Sequence, residues 1–185
     1  MTPQLRPAAK DDAATIVALM DMASHGMAWA LWAALAPPGS DVTAFAIARA
    51  QRETGGFSYR NTRILMLADT PAAMLMCWPL PPAPLPETDL PATAQPLVEL
   101  ENLAPRGALY INALAVFPAF RRQGLARFLL AQAGQGPQAL ITGSDNRPAL
   151  ALYRSAGFTE TARRPAKGDP IWQPDFPDWL LLTRP

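Results

Sequence analysis

The sequence predicts an α/β (α+β) protein with a central mixed β-sheet flanked by helices on both faces. Three observations predict it. Strand-like and helix-like segments alternate along 185 residues instead of segregating into blocks. Several strand candidates are nearly continuous apolar runs, as in strands covered on both faces. Half of the chain is apolar and 17% is charged, which suits a single domain with a buried core and not a disordered chain.

Each element has its own warrant. "QLRPA" reads as a short first strand. Asp11 or Asp12 then caps a helix whose apolar face is Ile16, Leu19, Met20 and Ala23. Ser24-His25-Gly26 interrupts it, and a second helix places Trp29, Trp32, Ala33 and Ala36 on one face before "PPG" stops it. Asp41 caps a third helix that runs to about Arg52.

"TRILMLAD" and "PAAMLMCWPL" are two strands joined at Asp69-Thr70-Pro71. The proline-dense stretch that follows, residues 79–96, reads as a loop insertion within one domain spanning residues 1–185. "ALYINALAV" is the next strand, and Leu125, Phe128, Leu129 and Gln132 form the face of the helix after it. "QALITG" is a strand, and "SDN" caps a helix through "RPALALYRSAG", with Pro148 in its first turn and Gly157 ending it. "FTETAR" and "DWLLLT" close the sheet.

The net charge of +1 offers no global attraction to nucleic acid or to an anionic membrane. One cysteine, Cys77, allows no internal disulfide and no thiolate cluster; with one histidine, no metal site is expected. No signal peptide and no membrane span are read, so a soluble, cytoplasmic protein is expected.

The local charge is less even. No Asp or Glu lies between Glu101 and Asp145, whereas Arg106, Arg121, Arg122 and Arg127 do. In "AVFPAFRRQGLARFL" a strand ends near Val116 and a helix follows Gly124. Glycine permits close backbone approach, and the helix aims its unpaired N–H groups and positive dipole end at the turn. A pyrophosphate site is physically reasonable there. The Gly-x-Gly-x-x-Gly signature and the acidic residue that a dinucleotide-binding oxidoreductase would need are missing.

"RRQGLA" resembles the Arg/Gln-x-x-Gly-x-Gly/Ala signature of the GNAT superfamily of acyl-CoA-dependent N-acyltransferases. "LAVFP" upstream and "NRPALALYRSAGF" downstream match that family's pattern in order and spacing, closely from Ala108 to Phe158. The resemblance implies a GNAT-like sheet and acetyl-CoA as co-substrate. It implies that the backbone of Leu114, Ala115 and Val116 pairs with the pantetheine arm. It gives the pyrophosphate to Arg121, Arg122, Gln123, Gly124, Leu125, Ala126 and Arg127, and a cofactor contact to Asn146, which is equally a helix cap. In the family a tyrosine at the position of Tyr153 protonates the departing thiolate; the same residue also fits a core face with Ala149, Leu152 and Ala156.

The general base stays open. Relatives place a glutamate on the strand before the phosphate turn or on the one after the helix, and this chain has none there. Glu99 and Glu101 in "LVELEN" are candidates that share a face if the segment is extended and not if it is helical. His25, at a helix break, is a third. The resemblance implies an N-acetyltransferase that moves acetyl from acetyl-CoA to a primary amine of a small molecule or peptide, directly in a ternary complex, with a homodimer expected. The alternative is a non-catalytic acyl-CoA-binding or regulatory module on the same fold.

Overall fold

A computed structural model describes residues 3–85 and 91–185. Part of the proline-rich insertion, residues 86–90, lies outside the described residues. Among the described residues the strands form one seven-stranded mixed sheet in the order β1-β2-β3-β4-β5-β7-β6, accompanied by six α-helices. The chain divides into two compact units, Met1–Cys77 with Ala113–Gly134, and Trp78–Asn112 with Gln135–Pro185. Among the described residues no helix is long and apolar enough to cross a membrane.

In the first unit β1 (Pro3–Pro7) pairs antiparallel with β2 (Thr62–Leu67), and β2 with β3 (Thr70–Pro79), with a bulge at Leu65/Met66. β3 is buried from Ala72 to Met76, which explains why its sequence shows no polar alternation. Three helices, α1 (Ala13–Ala23), α2 (Met27–Leu35) and α3 (Val42–Ala50), pack on one another. Asp12 precedes α1 and is held by Arg6 at 2.7 and 2.8 Å. Asp41 caps α3 as expected, accepting from the N–H groups of Thr43 and Ala44.

The face of α2 differs from the expectation. Trp32 is buried, but Trp29 is 41% exposed, and Met27, Ala28 and Ala30 turn inward instead. The helix "MAWALWAAL" carries no polar side chain, so nothing in its sequence sets the phase of its buried face.

β4 (Leu109–Val116) begins in the second unit and ends in the first; its start runs parallel to β5 (Gln138–Gly143) of the second unit, with Leu109–Ile111 opposite Gln138–Leu140. β7 (Asp178–Arg184) pairs antiparallel with β5 and with β6 (Thr159–Pro165). β6 is an exposed edge strand carrying Glu160, Arg163 and Arg164, charges that discourage edge-to-edge pairing. A helix α4 (Gln95–Leu103), with Pro96 in its first turn, lies against β5, β6 and β7 through the fully buried Leu100. The proline-rich stretch therefore ends in a helix, and "LVELEN" is helical. α5 (Leu125–Ala131) follows β4 and belongs to the first unit, whereas α6 (Arg147–Ser155) comes between β5 and β6 in the second.

Candidate active site

The turn after β4 is built from backbone that most side chains avoid. Arg121 is extended, Arg122 sits at φ 64° and Gly124 at φ 77°. Left-handed backbone costs a non-glycine residue roughly 1–2 kcal/mol, so Arg122 is strained while Gly124 is the residue that the position requires. A Cβ added at Gly124 would meet nothing within 4 Å, so the space before it is open. The first helical bond of α5 runs from Phe128 N–H to the Gly124 carbonyl at 3.0 Å, and no side chain caps the helix. The N–H groups of Leu125 and Ala126 precede that bond and point out of the helix start.

Around this turn Arg121, Arg122, Gln123 and Arg127 are all exposed. Arg121 is anchored: its Nε donates to the Val116 carbonyl at 3.1 Å and its Nη2 meets the Met22 sulfur at 3.1 Å. Ala115 is buried, while Leu114 and Val116 are half-buried, past the end of the β4–β5 register. Open space, outward N–H groups and guanidinium charge suit phosphate oxygens. These residues fit a nucleotide diphosphate.

In the second unit Asn146 caps α6, its Oδ1 accepting from the Ala149 N–H at 3.4 Å. Tyr153 is 7% exposed and packs edge-on to Phe158 at 5.8 Å. Its hydroxyl has no hydrogen-bond partner among the described residues, and burial pushes it up to about 12. Such a phenol keeps its proton at any physiological pH and can only donate.

Glu99 and Glu101 sit on α4, so they do not share a face. Glu99 accepts from Arg164 Nε at 2.8 Å. Glu101 is half-buried and accepts no hydrogen bond from any described residue. Loss of solvent pushes its carboxyl up to about 7, with the Arg106 charge acting against the shift. Arg106 donates from Nη2 to the Asn102 carbonyl instead. The residue therefore belongs to the support of α4 as well as to the cationic stretch seen in the sequence. Tyr110 on β4 is 4% exposed and lies within the field of the Glu101 charge, which adds to the rise that burial gives its hydroxyl. A carboxylate of this kind can take up and release a proton near neutral pH.

His25 lies in the first unit at the junction of α1 and α2, at φ 56° before Gly26 at φ 81°. Arg60 is committed to Glu53 at 2.7 Å. Cys77 has Arg63 beside it, a neighbour not foreseen from the sequence, yet burial dominates and raises the thiol, which keeps it a poor nucleophile. Sequence reasoning missed helix α4 as the carrier of Glu101. The spacing of Leu97, Leu100 and Ala104 was the available signal.

Residues 95–160 match the family model of the acetyltransferase (GNAT) domain. A 59-residue segment, 30% of this chain, is 42% identical to an uncharacterized protein of Mycobacterium leprae and spans 16% of that protein's length. Among solved structures, an N-acetyltransferase from Staphylococcus aureus is similar with a TM-score of 0.65 at 16% identity, over 98% of this chain and 100% of the other. A chain of the NatC complex bound to Gag peptide and CoA is similar with a TM-score of 0.57 at 19% identity, over 100% and 99%. At such identities the likeness carries the fold.

Proposed function

With a GNAT domain match over residues 95–160 and the GNAT fold as the premise, we propose that the protein is an N-acetyltransferase. It moves an acetyl group from acetyl-CoA directly to a primary amine bound with it in a ternary complex. The observation that carries this reading is the turn after β4, where left-handed Arg122 and Gly124 open onto the uncapped start of α5. Strain held at a solvent-facing arginine is reasonable where a ligand offsets it.

On this reading the backbone of Leu114, Ala115 and Val116 takes the pantetheine arm. Arg121 through Arg127 take the pyrophosphate, and Asn146 adds a contact beside α6. Glu101 removes the proton that makes the acceptor an ammonium ion. The freed nitrogen attacks the thioester carbonyl carbon and the C–S bond breaks. Tyr153 gives its proton to the sulfur, and the second proton shed by nitrogen restores the phenol through solvent. Glu101 is preferred as base because its carboxylate has no hydrogen bond among the described residues and burial pushes it up to about 7. Glu99 is occupied by Arg164, and His25 is the second choice.

Acetyl-CoA at a hundredfold excess over its Kd should stabilise the protein by about 2.7 kcal/mol. Thiol release across a panel of small amines and peptide N-termini tests the transfer. No thermal shift overturns the donor assignment. A shift without thiol release leaves an acyl-CoA-binding module. Tyr153→Phe should lower kcat by about a hundredfold and leave the acetyl-CoA shift unchanged.

A further inference from the structure

Asn102 ties together the surroundings of Glu101. Its Oδ1 accepts from the Leu85 N–H at 2.8 Å, and its Nδ2 donates to the Leu85 carbonyl at 3.0 Å. This two-bond clamp joins α4 to the arm that follows β3. The main-chain carbonyl of Asn102 accepts from Arg106 Nη2. One turn earlier, Glu99 is tied to Arg164 of β6, and Leu100 is fully buried.

Glu101 is the residue these ties leave without a hydrogen bond among the described residues. Its carboxylate is half-buried without a donor among the described residues, and it lies in the last turn of α4, where the negative end of the helix opposes a negative charge. Each of these terms favours release of the side chain to water, most simply by fraying of the helix end. The charged residues of the strands packed against α4, and Lys167 after β6, have partners of their own. Lys167 donates to Gln95 at 2.9 Å, Asp178 of β7 meets Arg163 at 3.4 Å, and Arg184 donates to the Ala156 carbonyl at 3.0 Å. β5 carries no titratable side chain. Arg106 and Tyr110 are the groups whose fields couple to Glu101.

We propose that Asn102 is a positioning residue: by clamping Leu85 and receiving Arg106 it keeps the last turn of α4 closed, and so holds Glu101 out of water where the acceptor amine is deprotonated. The inference rests on Glu101 being the proton acceptor in the reading above. Glu101 itself reports on the clamp, because an opened helix end rehydrates its carboxylate.

The test follows the Glu101 carboxyl carbon by NMR titration of the full chain, assigned with Glu101→Gln, alongside thiol release. Asn102→Ala removes the clamp from the helix side. Leu85→Pro removes the N–H donor from the arm side and leaves the sequence of α4 intact, so one variant stands if the other does not fold. Both should move the Glu101 midpoint down by about one pH unit or more and lower kcat/KM near neutral pH about tenfold, with the acetyl-CoA thermal shift retained. Folded variants in which Glu101 titrates as in the wild type overturn the proposal. A wild-type protein that releases no thiol with any amine overturns the acetyltransferase reading, and the titration still decides the clamp.

Discussion

Glu99 and Glu101 are two residues apart on one helix and differ in chemistry. Glu99 has an arginine at 2.8 Å; Glu101 has a field from Arg106 and no hydrogen bond among the described residues. A carboxyl whose folded value is raised from 4.5 to about 7 favours folding when protonated. That contribution is complete below pH 4.5 and is lost as the pH rises through about 7. Glu101→Gln escapes the loss, so its melting temperature should exceed that of the wild type above neutrality. The gap should shrink through this window and vanish in acid. The same variant should release thiol about a hundredfold more slowly at pH 8. A Glu101→Gln protein no more stable than wild type at pH 8 would show that the wild-type carboxylate is well solvated. Gain in stability with loss of activity is the pattern expected of a charge kept in place for function.

Among the elements, the turn from Arg121 to Gly124 was legible because its chemistry is local. Glycine ahead of a helical repeat marks a left-handed start, and Gly124 takes that conformation. The second left-handed residue, Arg122, has no signal in sequence, since arginine seldom takes that conformation. Arg122→Gly should relieve about 1 kcal/mol of strain, leaving thermal stability equal or higher, while weakening acetyl-CoA binding measured by calorimetry. Tighter binding by that variant would count against a donor role for this turn. Helix α4 was harder to see. Prolines up to Pro96 obscure its start, and its apolar face is short. Whether Glu99 and Glu101 shared a face depended on that one assignment. Helix α2 failed in the opposite way, because a segment apolar on all sides has a type but no phase.

Across the whole molecule, the sheet is the scaffold that sets the strand ends and helix starts. Leu181 of β7 is 1% exposed and stands between Ile141 and Ala162 in neighbouring strands. Leu181→Ala should cost about 3 kcal/mol and lower the melting temperature by about 10 °C. Acetyl-CoA binding well below the transition should persist. A shift of only a degree or two would mean that the surrounding side chains collapse into the space.

The order of the strands, the helices other than α4, and the glycine at the start of α5 were determined by sequence alone. Each rests on periodicity, on a glycine or proline with a fixed backbone demand, or on a motif within one short segment. Tertiary structure decided what no segment contains. It paired Glu99 with an arginine 65 residues away and left Glu101 without a donor among the described residues. It clamped Asn102 to Leu85, 17 residues distant, and buried the Tyr153 hydroxyl. Proton affinity depends on desolvation and on charges brought close by the fold, and neither quantity is carried by the order of residues along the chain.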